Sequence, residues 1–367
     1  MKFTCERETI FKEIADAYEI ISSRNAISVL ANVFLQVVNN ELVIRATDLK
    51  VSYESRLPIE MTTPGSTTVI CDKLVGILRS LPDGEIEFEQ GDDNALSVHP
   101  VFRKIDFQLR GMSSDKYPEF PDIDEGLFFD VPQKEFSHMV GQTLFAVSDD
   151  EGRYFMNGIF MECQGGKLVM AATDSHRLAY VSTGLEESHD FQGVIVPPKI
   201  MGVVRKFSSG EGSLAVAVTE KNLHVRIDNR RMNSGLIDAQ FPNIHRVIPN
   251  SQEHQLTVER NALLDGLRRV SLLVEEKSRR IHLEINPGEM VVRSSEGEIG
   301  AASEELSCEY DGPQVTLALN FTYLLEPLRQ IAAEKVCIEF SDPNRAVTLK
   351  PVPEGDYFHI IMPMQSA

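Results

Sequence analysis

Apolar positions fall at helical spacing in six stretches of this chain, and period-two alternation fills much of the sequence between them. Three stretches are long and follow an extended lead-in. Phe3 and Cys5 precede a helix over 7–24 with Ile10, Phe11, Ile14, Ala17, Tyr18 and Ile21 at helical spacing. Phe128, Phe129 and Val131 lead to Pro132 at a first helical position, and Phe136, Met139, Val140 and Leu144 stripe a helix over 132–147. Leu256 and Val258 lead into 259–273, with Leu263, Leu264, Leu267, Val270 and Ser271 facing inward. Three shorter helices, 72–81, 197–207 and 319–331, each follow a strand rich in β-branched residues.

The same series occurs three times, with a period of about 125 residues. Asn32-Val33-Phe34-Leu35 running to Arg45-Ala46-Thr47-Asp48 matches Asn157-Gly158-Ile159-Phe160 running to Ala171-Ala172-Thr173-Asp174. A more worn copy runs from Ile281-His282-Leu283 to Val291-Val292-Arg293-Ser294. Proline-punctuated connections at 117–122 and 241–250 separate the copies. The expectation is an α+β protein of three similar domains, 1–121, 122–249 and 250–367, each with two helices packed on mostly antiparallel strands. Three such units in a row suggest a curved or ring-shaped object.

Composition narrows the class. Hydrophobic residues make up 42% of the 367 and charged residues 25%, as in ordinary soluble proteins with a sizeable core. The opening residues 1–8 carry no apolar signal region, no stretch is long enough to span a membrane, and a cytoplasmic location is expected. Five cysteines, odd in number and widely spaced, read as free thiols in a reducing compartment. The histidines show no paired ligand spacing, so no metal and no cofactor is expected. The net charge of −19 argues at first against a nucleic-acid partner. Its distribution changes that: the six helices carry thirteen Lys and Arg against nine Asp and Glu, a net +4, which leaves −23 for everything else. Helices lining a positive surface inside an acidic exterior would hold a phosphate backbone without reading sequence.

The two ends are also complementary. Val101 to Arg110 reads as a strand with Ile105, Phe107 and Leu109 on one face and Arg103 and Lys104 nearby. Glu296, Glu298, Glu304 and Glu305 flank Ile299, close in sequence to Leu272 and Leu273. A basic edge and an acidic edge suit a head-to-tail contact that closes into a ring. The expected interface is Arg103, Lys104, Ile105, Phe107, Leu109, Leu272, Leu273, Glu298 and Glu304.

Four further motifs are specific together: Arg153-Tyr154-Phe155-Met156-Asn157-Gly158; Ala172-Thr173-Asp174-Ser175-His176-Arg177-Leu178; Phe241-Pro242 with Arg246-Val247; and Ile361-Met362-Pro363-Met364. With them, the whole chain resembles the β subunit of bacterial DNA polymerase III, the sliding-clamp family. The resemblance implies a DNA-clamp fold and a ring-shaped, head-to-tail homodimer that encircles double-stranded DNA without sequence preference. It implies a non-catalytic processivity subunit that tethers the replicative polymerase and meets the clamp loader and repair proteins through short linear peptides. The implied peptide pocket is walled by Arg153, Phe155, Met156, Thr173, Ser175, His176, Arg177, Leu178, Pro242, Arg246, Val247, Asn320, Tyr323, Ile361, Met362, Pro363 and Met364. Met156, Leu178, Val247 and Ile361 would take apolar anchors, while Arg153, Arg177 and Arg246 would meet acidic or carbonyl groups at the rim. Ser278 stands where the family can have an aromatic residue, and the tail Gln365-Ser366-Ala367 differs from the best-known members. The expected DNA-facing residues are Arg24 and Tyr154, carried over from the resemblance, with Lys199, Arg205 and Arg268 inferred from helix position.

Other readings are weaker. Asp174, Ser175 and His176 offer an acid, a hydroxyl and an imidazole, but neighbours on an extended turn point apart, and no nucleophile elbow is present. Asp149-Asp150-Glu151 reads as a solvated loop rather than a Mg²⁺ site, and no phosphate-binding loop marks an ATP-driven machine. A three-domain protein–protein scaffold that never encircles DNA shares the repeat and the groove. Retention on circular against linear DNA separates it from a clamp.

Overall fold

The alternating, β-branched segments form antiparallel sheets throughout the computed structural model, which describes residues 1–21, 28–91, 93–186, 189–295, 297 and 300–364. The chain folds as two units, 1–133 with 202–236 and 134–201 with 237–367. Strand pairing thus cuts across the sequence repeat: the middle repeat gives four strands to a sheet of the first unit and four to the sheet of the second.

In the first unit a five-stranded sheet runs Glu60–Thr63, Lys2–Glu6, Glu85–Gln90, Leu96–Pro100, Phe107–Leu109. A nine-stranded sheet runs Gly111–Met112, Gly65–Ile70, Asn32–Val38, Glu41–Thr47, Val51–Pro58, Arg230–Gly235, Asn222–Ile227, Ser213–Val218, Phe129–Pro132. Helix α1 (Arg7–Ile20) turns Ile10, Ile14, Ala17 and Ile20 inward at the expected spacing, and α2 (Cys71–Ser80) buries Cys71, Leu74, Val75 and Leu78. α1 ends short of Arg24, and residues 22–27 lie outside the described ones. The expected strand over 101–110 is strand only at Phe107–Leu109; Arg103 N–H turns back to Pro100 O, so 101–106 is a hairpin loop. Ile105, Phe107 and Leu109 remain half-buried and alternate with exposed neighbours.

The first unit joins two repeats where Val51–Pro58 pairs with Arg230–Gly235. Charges brace this seam. The Arg230 guanidinium, almost fully buried, lies 2.8 Å from Glu13 and 2.9 Å from Asp16, and the Tyr53 hydroxyl donates to Glu13 at 2.9 Å. Burial pushes the Asp16 carboxyl up, and Arg230 only partly offsets it. On the same seam Glu54 is fully buried and receives Arg45 at 2.7 Å, Arg56 at 3.2 Å and Arg231. Burial alone would raise the Glu54 carboxyl, but the Arg45 and Arg231 hydrogen bonds outweigh it and hold it below its ordinary range. The connector then crosses this sheet. Tyr117 stacks near Phe34 and donates to Asn32 O, Phe120 lies 4.9 Å from the Arg231 guanidinium, and Phe128 lies 3.9 Å from that of Arg226.

The second unit holds one twelve-stranded sheet among the described residues. Its order is Phe191–Val196, Ile159–Gln164, Lys167–Thr173, Arg177–Gly184, Tyr357–Ile361, Val347–Val352, Lys335–Phe340, His254–Glu259, Ser303–Glu309, Glu289–Ser294, Arg280–Asn286, Val315–Asn320. Helix α3 (Gln133–Thr143) starts one residue after Pro132, which ends a strand instead of opening the helix. The Gln133 N–H goes to Gly212 O, so the proline lacks a donor at a strand end where none is needed. Helix α4 (Pro198–Phe207) buries Ile200, Met201, Val203, Val204 and Phe207, and α5 (Arg260–Val270) buries Leu263, Leu264, Leu267 and Val270. α5 packs against α6 (Phe321–Gln330), whose first turn is capped by the Asn320 side chain accepting from Thr322 N–H at 3.0 Å. Both α3 and α5 finish in a 3₁₀ turn, Leu144–Ala146 and Ser271–Leu273.

Two outcomes follow from the charged seam. Arg230→Met leaves the buried Glu13 without its cation and the half-buried Asp16 with one partner fewer, and urea titration is expected to show a loss of about 3–5 kcal/mol; a loss below about 1 kcal/mol would mean the carboxylates are solvated by relaxation. Glu54 has a depressed folded pKa, so it contributes stability above its ordinary value of 4.5 and loses it as pH falls through the folded value. Thermal melts from about pH 6 to 3 should therefore fall more steeply for the native chain than for Glu54→Gln, and parallel acid limbs would contradict this assignment.

Candidate functional site

The second unit contains a cavity of about 290 Å³ lined by Met156, Thr173, Ser175, Arg177, Leu178, Pro242, Asn243, Ile244, Val247, Ile360 and Met362. Its floor is apolar and buried: Leu178, Ile244 and Ile360 join Ala171 in one cluster, backed by Phe160, Tyr180, Phe241 and Phe358. Phe160 stacks on Phe241 at 5.0 Å and Tyr180 on Phe358 at 4.7 Å, which stiffens the floor from below. Val247 and Met362 stand at the mouth, each more than two-fifths exposed.

Three local structures place these side chains. The first is the turn between Lys167–Thr173 and Arg177–Gly184. Asp174 Oδ1 accepts the His176 and Arg177 N–H groups at 2.9 and 3.1 Å, while Thr173 Oγ1 donates to Arg177 O at 2.6 Å. Ser175 takes φ +77° within it. The first repeat builds the same turn from Thr47 to Val51: Asp48 Oδ1 accepts from Lys50 and Val51, and Leu49 takes φ +72°. The second is the connector, where the Asn243 side chain accepts from His245 N–H and caps the 3₁₀ turn Ile244–Arg246. The third is Tyr357–Ile361, paired with Arg177–Gly184 so that Ile360 meets Leu178.

Of the residues expected in the wall, Met156, Thr173, Ser175, Arg177, Leu178, Pro242, Val247 and Met362 line the cavity. Ile361 does not. It is fully buried, and alternation along the strand turns it to the opposite face, so Ile360 takes the expected anchor-binding place. Asn243, Ile244 and Ile360 were missed; a strict period of two through Phe358, Ile360 and Met362 carried the signal for the last. Arg153, Phe155, His176, Arg246, Asn320, Tyr323, Pro363 and Met364 are not among the lining residues. Arg153 is held by Asp150 at 2.8 Å and Ser175 Oγ at 2.6 Å, His176 and Arg246 are exposed, and Asn320 is spent on the cap of α6. The tail is tied by backbone bonds from Met362 to His176 O and from Met364 to Ala318 O, both 2.8 Å.

Arg177 is not a rim cation. Its Nε lies 2.9 Å from Asp174, Nη1 contacts Glu326 on α6, Nη2 donates to Phe145 O at 2.5 Å, and the Tyr323 ring lies 4.6 Å away. Beside it His359 is fully buried, 5.5 Å from the Phe145 ring; burial first and the Arg177 charge second push its pKa down to about 3, so it is neutral at physiological pH. Asp174, Ser175 and His176 do not converge. The Asp174 carboxylate is spent on backbone N–H groups and Arg177, and Ser175 Oγ accepts from Arg153. Asp150, in the acidic loop, caps the 3₁₀ turn Glu151–Met156.

Tyr154 is exposed, Lys199 is half-buried and Arg205 exposed on α4, and Arg268 is paired with Asp265 at 3.1 Å on α5. Arg24 lies outside the described residues, as does Glu298. Arg103 and Lys104 are exposed in the 101–106 loop next to Phe102, itself 83% exposed. Leu272 is 81% exposed at the end of α5 and Leu273 half-buried. Glu304 is not a free acid: Arg269 of the same chain grips both of its oxygens, at 2.7 and 2.5 Å, and depresses its pKa.

Comparison with known proteins gives this geometry a family. Residues 1–121, 130–243 and 245–365 match the N-terminal, central and C-terminal domains of the DNA polymerase III beta subunit. The chain is 43% identical to the beta sliding clamp of Treponema pallidum over 371 residues and 30% identical to that of Pseudomonas aeruginosa, in both cases over the whole of each chain. Among solved structures it is similar along the full length of both chains to the Pseudomonas aeruginosa DNA polymerase III subunit beta, with TM-score 0.94 at 29% identity. The sliding clamp of Bacillus subtilis shares the fold, with TM-score 0.95 at 23% identity. A Pseudomonas aeruginosa clamp of the same similarity was solved bound to griselimycin. The chain therefore belongs to the DNA polymerase III β-subunit family, the three-domain sliding clamps, and is a processivity subunit without catalysis of its own.

Proposed function

We propose that two copies of this chain, each of three domains at 1–121, 122–249 and 250–367, close head to tail around duplex DNA. In this reading the cavity floored by Leu178, Ile244 and Ile360 receives a short peptide from the replicative polymerase and, in turn, from the clamp loader and repair proteins. The observation that carries it is that cavity, apolar and stiffly backed, in a chain matched over its whole length to sliding clamps. A floor of aliphatic side chains with the unbranched, adaptable Met362 at the mouth suits an apolar anchor presented by several partners.

Two open strand edges support ring closure. Phe107–Leu109 is the last strand of its sheet, and Ser303–Glu309 meets His254–Glu259 only at Cys308 and Glu309. Unpaired edges invite pairing with another copy, and exposed apolar anchors stand by them: Phe102 shortly before Phe107, and Leu272 at the end of α5, which packs against Ser303–Glu309. Lys199 and Arg205 on α4 and Arg268 on α5 are the basic groups assigned to a phosphate backbone, with Arg24 and the exposed Tyr154 as further contacts. Attachment by enclosure needs no tight grip, which reconciles a net charge of −19 with DNA as the ligand. No helix among the described residues is long and apolar enough to cross a membrane, and a cytoplasmic location is part of this reading.

On nicked circular DNA the loaded protein should persist and on linear DNA it should slide off; equal loss from both would favour the open scaffold. Leu272→Ala with Leu273→Ala should give monomers in sedimentation, and an intact dimer would refute that edge. For the groove, Ile360→Ala and Met362→Ala should each weaken a polymerase-derived peptide by about tenfold in calorimetry. Unchanged affinity in both variants would move the peptide elsewhere.

A further inference from the structure

The groove reading leaves one charge unexplained. Arg177 lines the cavity, yet its side chain is only 9% exposed and each of its three guanidinium nitrogens has an acceptor inside the protein. Two of those acceptors are carboxylates, Asp174 and Glu326, so two acids share this one guanidinium. The rings of Tyr323 and Phe145, 4.6 and 5.4 Å from the guanidinium carbon, occupy further space around it. What is left for the cavity is the methylene stem, an apolar surface.

We propose that Glu326 is a specificity-determining residue: from α6 it holds the Arg177 guanidinium back, so that the groove offers a peptide anchor an apolar wall with no free cation behind it and rejects a carboxylate there. This rests on the groove reading above and adds a residue outside the cavity lining. Glu326 does not itself line the cavity; it acts through Arg177. Asp174 cannot do this alone, because its carboxylate is shared with the backbone N–H groups of His176 and Arg177. Arginine is suited to the task because its planar fork binds several acceptors at once while its stem stays aliphatic. Of the other basic groups in this part of the chain, Arg153 is taken by Asp150 and Ser175, Arg246 is exposed outside the lining, and Arg279, close enough to act on the Tyr323 hydroxyl, is also outside the lining.

The experiment uses the full-length dimer and two fluorescein-labelled peptides of identical sequence except for the anchor, Leu in one and Glu in the other. The native protein should prefer the Leu peptide by at least about 100-fold, since the Glu anchor meets an apolar wall and two carboxylates. Glu326→Gln should tighten the Glu peptide by about tenfold and change the Leu peptide by less than about twofold, narrowing the preference. Glu326→Asp should restore it. On an Arg177→Met background, Glu326→Gln should leave the preference unaltered, because the group it releases is gone. A parallel change of both peptides would show a merely structural role and overturn the proposal, as would an undiminished preference in Glu326→Gln. If that variant fails to fold, Glu326→Asp and Arg177→Met decide: a preference lost in Glu326→Asp or an Arg177→Met protein that favours the Glu peptide overturns it. Failure of the Leu peptide to bind the native protein would instead refute the groove reading.

Discussion

The backbone ladder that joins one repeat to the next is the constraint on which the remainder depends. In the first unit Val51–Pro58 pairs with Arg230–Gly235, and in the second Arg177–Gly184 pairs with Tyr357–Ile361. Each is a strand of one repeat hydrogen-bonded to the last strand of the next. Antiparallel pairing fixes which residues face each other, and a slip of one residue would turn every side chain to the other face. The register therefore sets the contents of each seam directly.

The two seams are built alike and filled differently. Ser52 faces Asn233 in the first and Leu178 faces Ile360 at the matching place in the second. The first is braced by buried ions, with Glu54 among three arginines and Arg230 between Glu13 and Asp16. The second puts a buried apolar cluster beneath a cavity and keeps the buried Arg177 guanidinium committed to Asp174, Glu326 and Phe145. Desolvation offsets much of a buried pair's attraction, but losing one partner strands a buried charge, so such a seam resists being opened. An apolar floor beneath a cavity instead gains by being covered. One seam is suited to holding the protein together and the other to holding something else.

The sequence by itself determined the repeat, the bodies of six helices and most of the segments that become sheet, because those follow from local spacing of apolar residues and from turn chemistry. Thr173 and Asp174 are an example, since the hydroxyl and carboxylate close the turn on the backbone around them, as Thr47 and Asp48 do in the first repeat. The family, and eight of the cavity residues, were legible in four short motifs. What only the tertiary structure decided were the quantities that depend on partners distant in sequence. Whether Ile360 or Ile361 faces the cavity depends on pairing with a strand some 180 residues earlier. Whether Arg177 is a free cation depends on Glu326, 149 positions away, and whether Glu304 is a free acid depends on Arg269. Charge along a sequence counts ions; only packing says which of them have already been neutralised, because pairing falls off within a few ångströms and the chain does not record such distances.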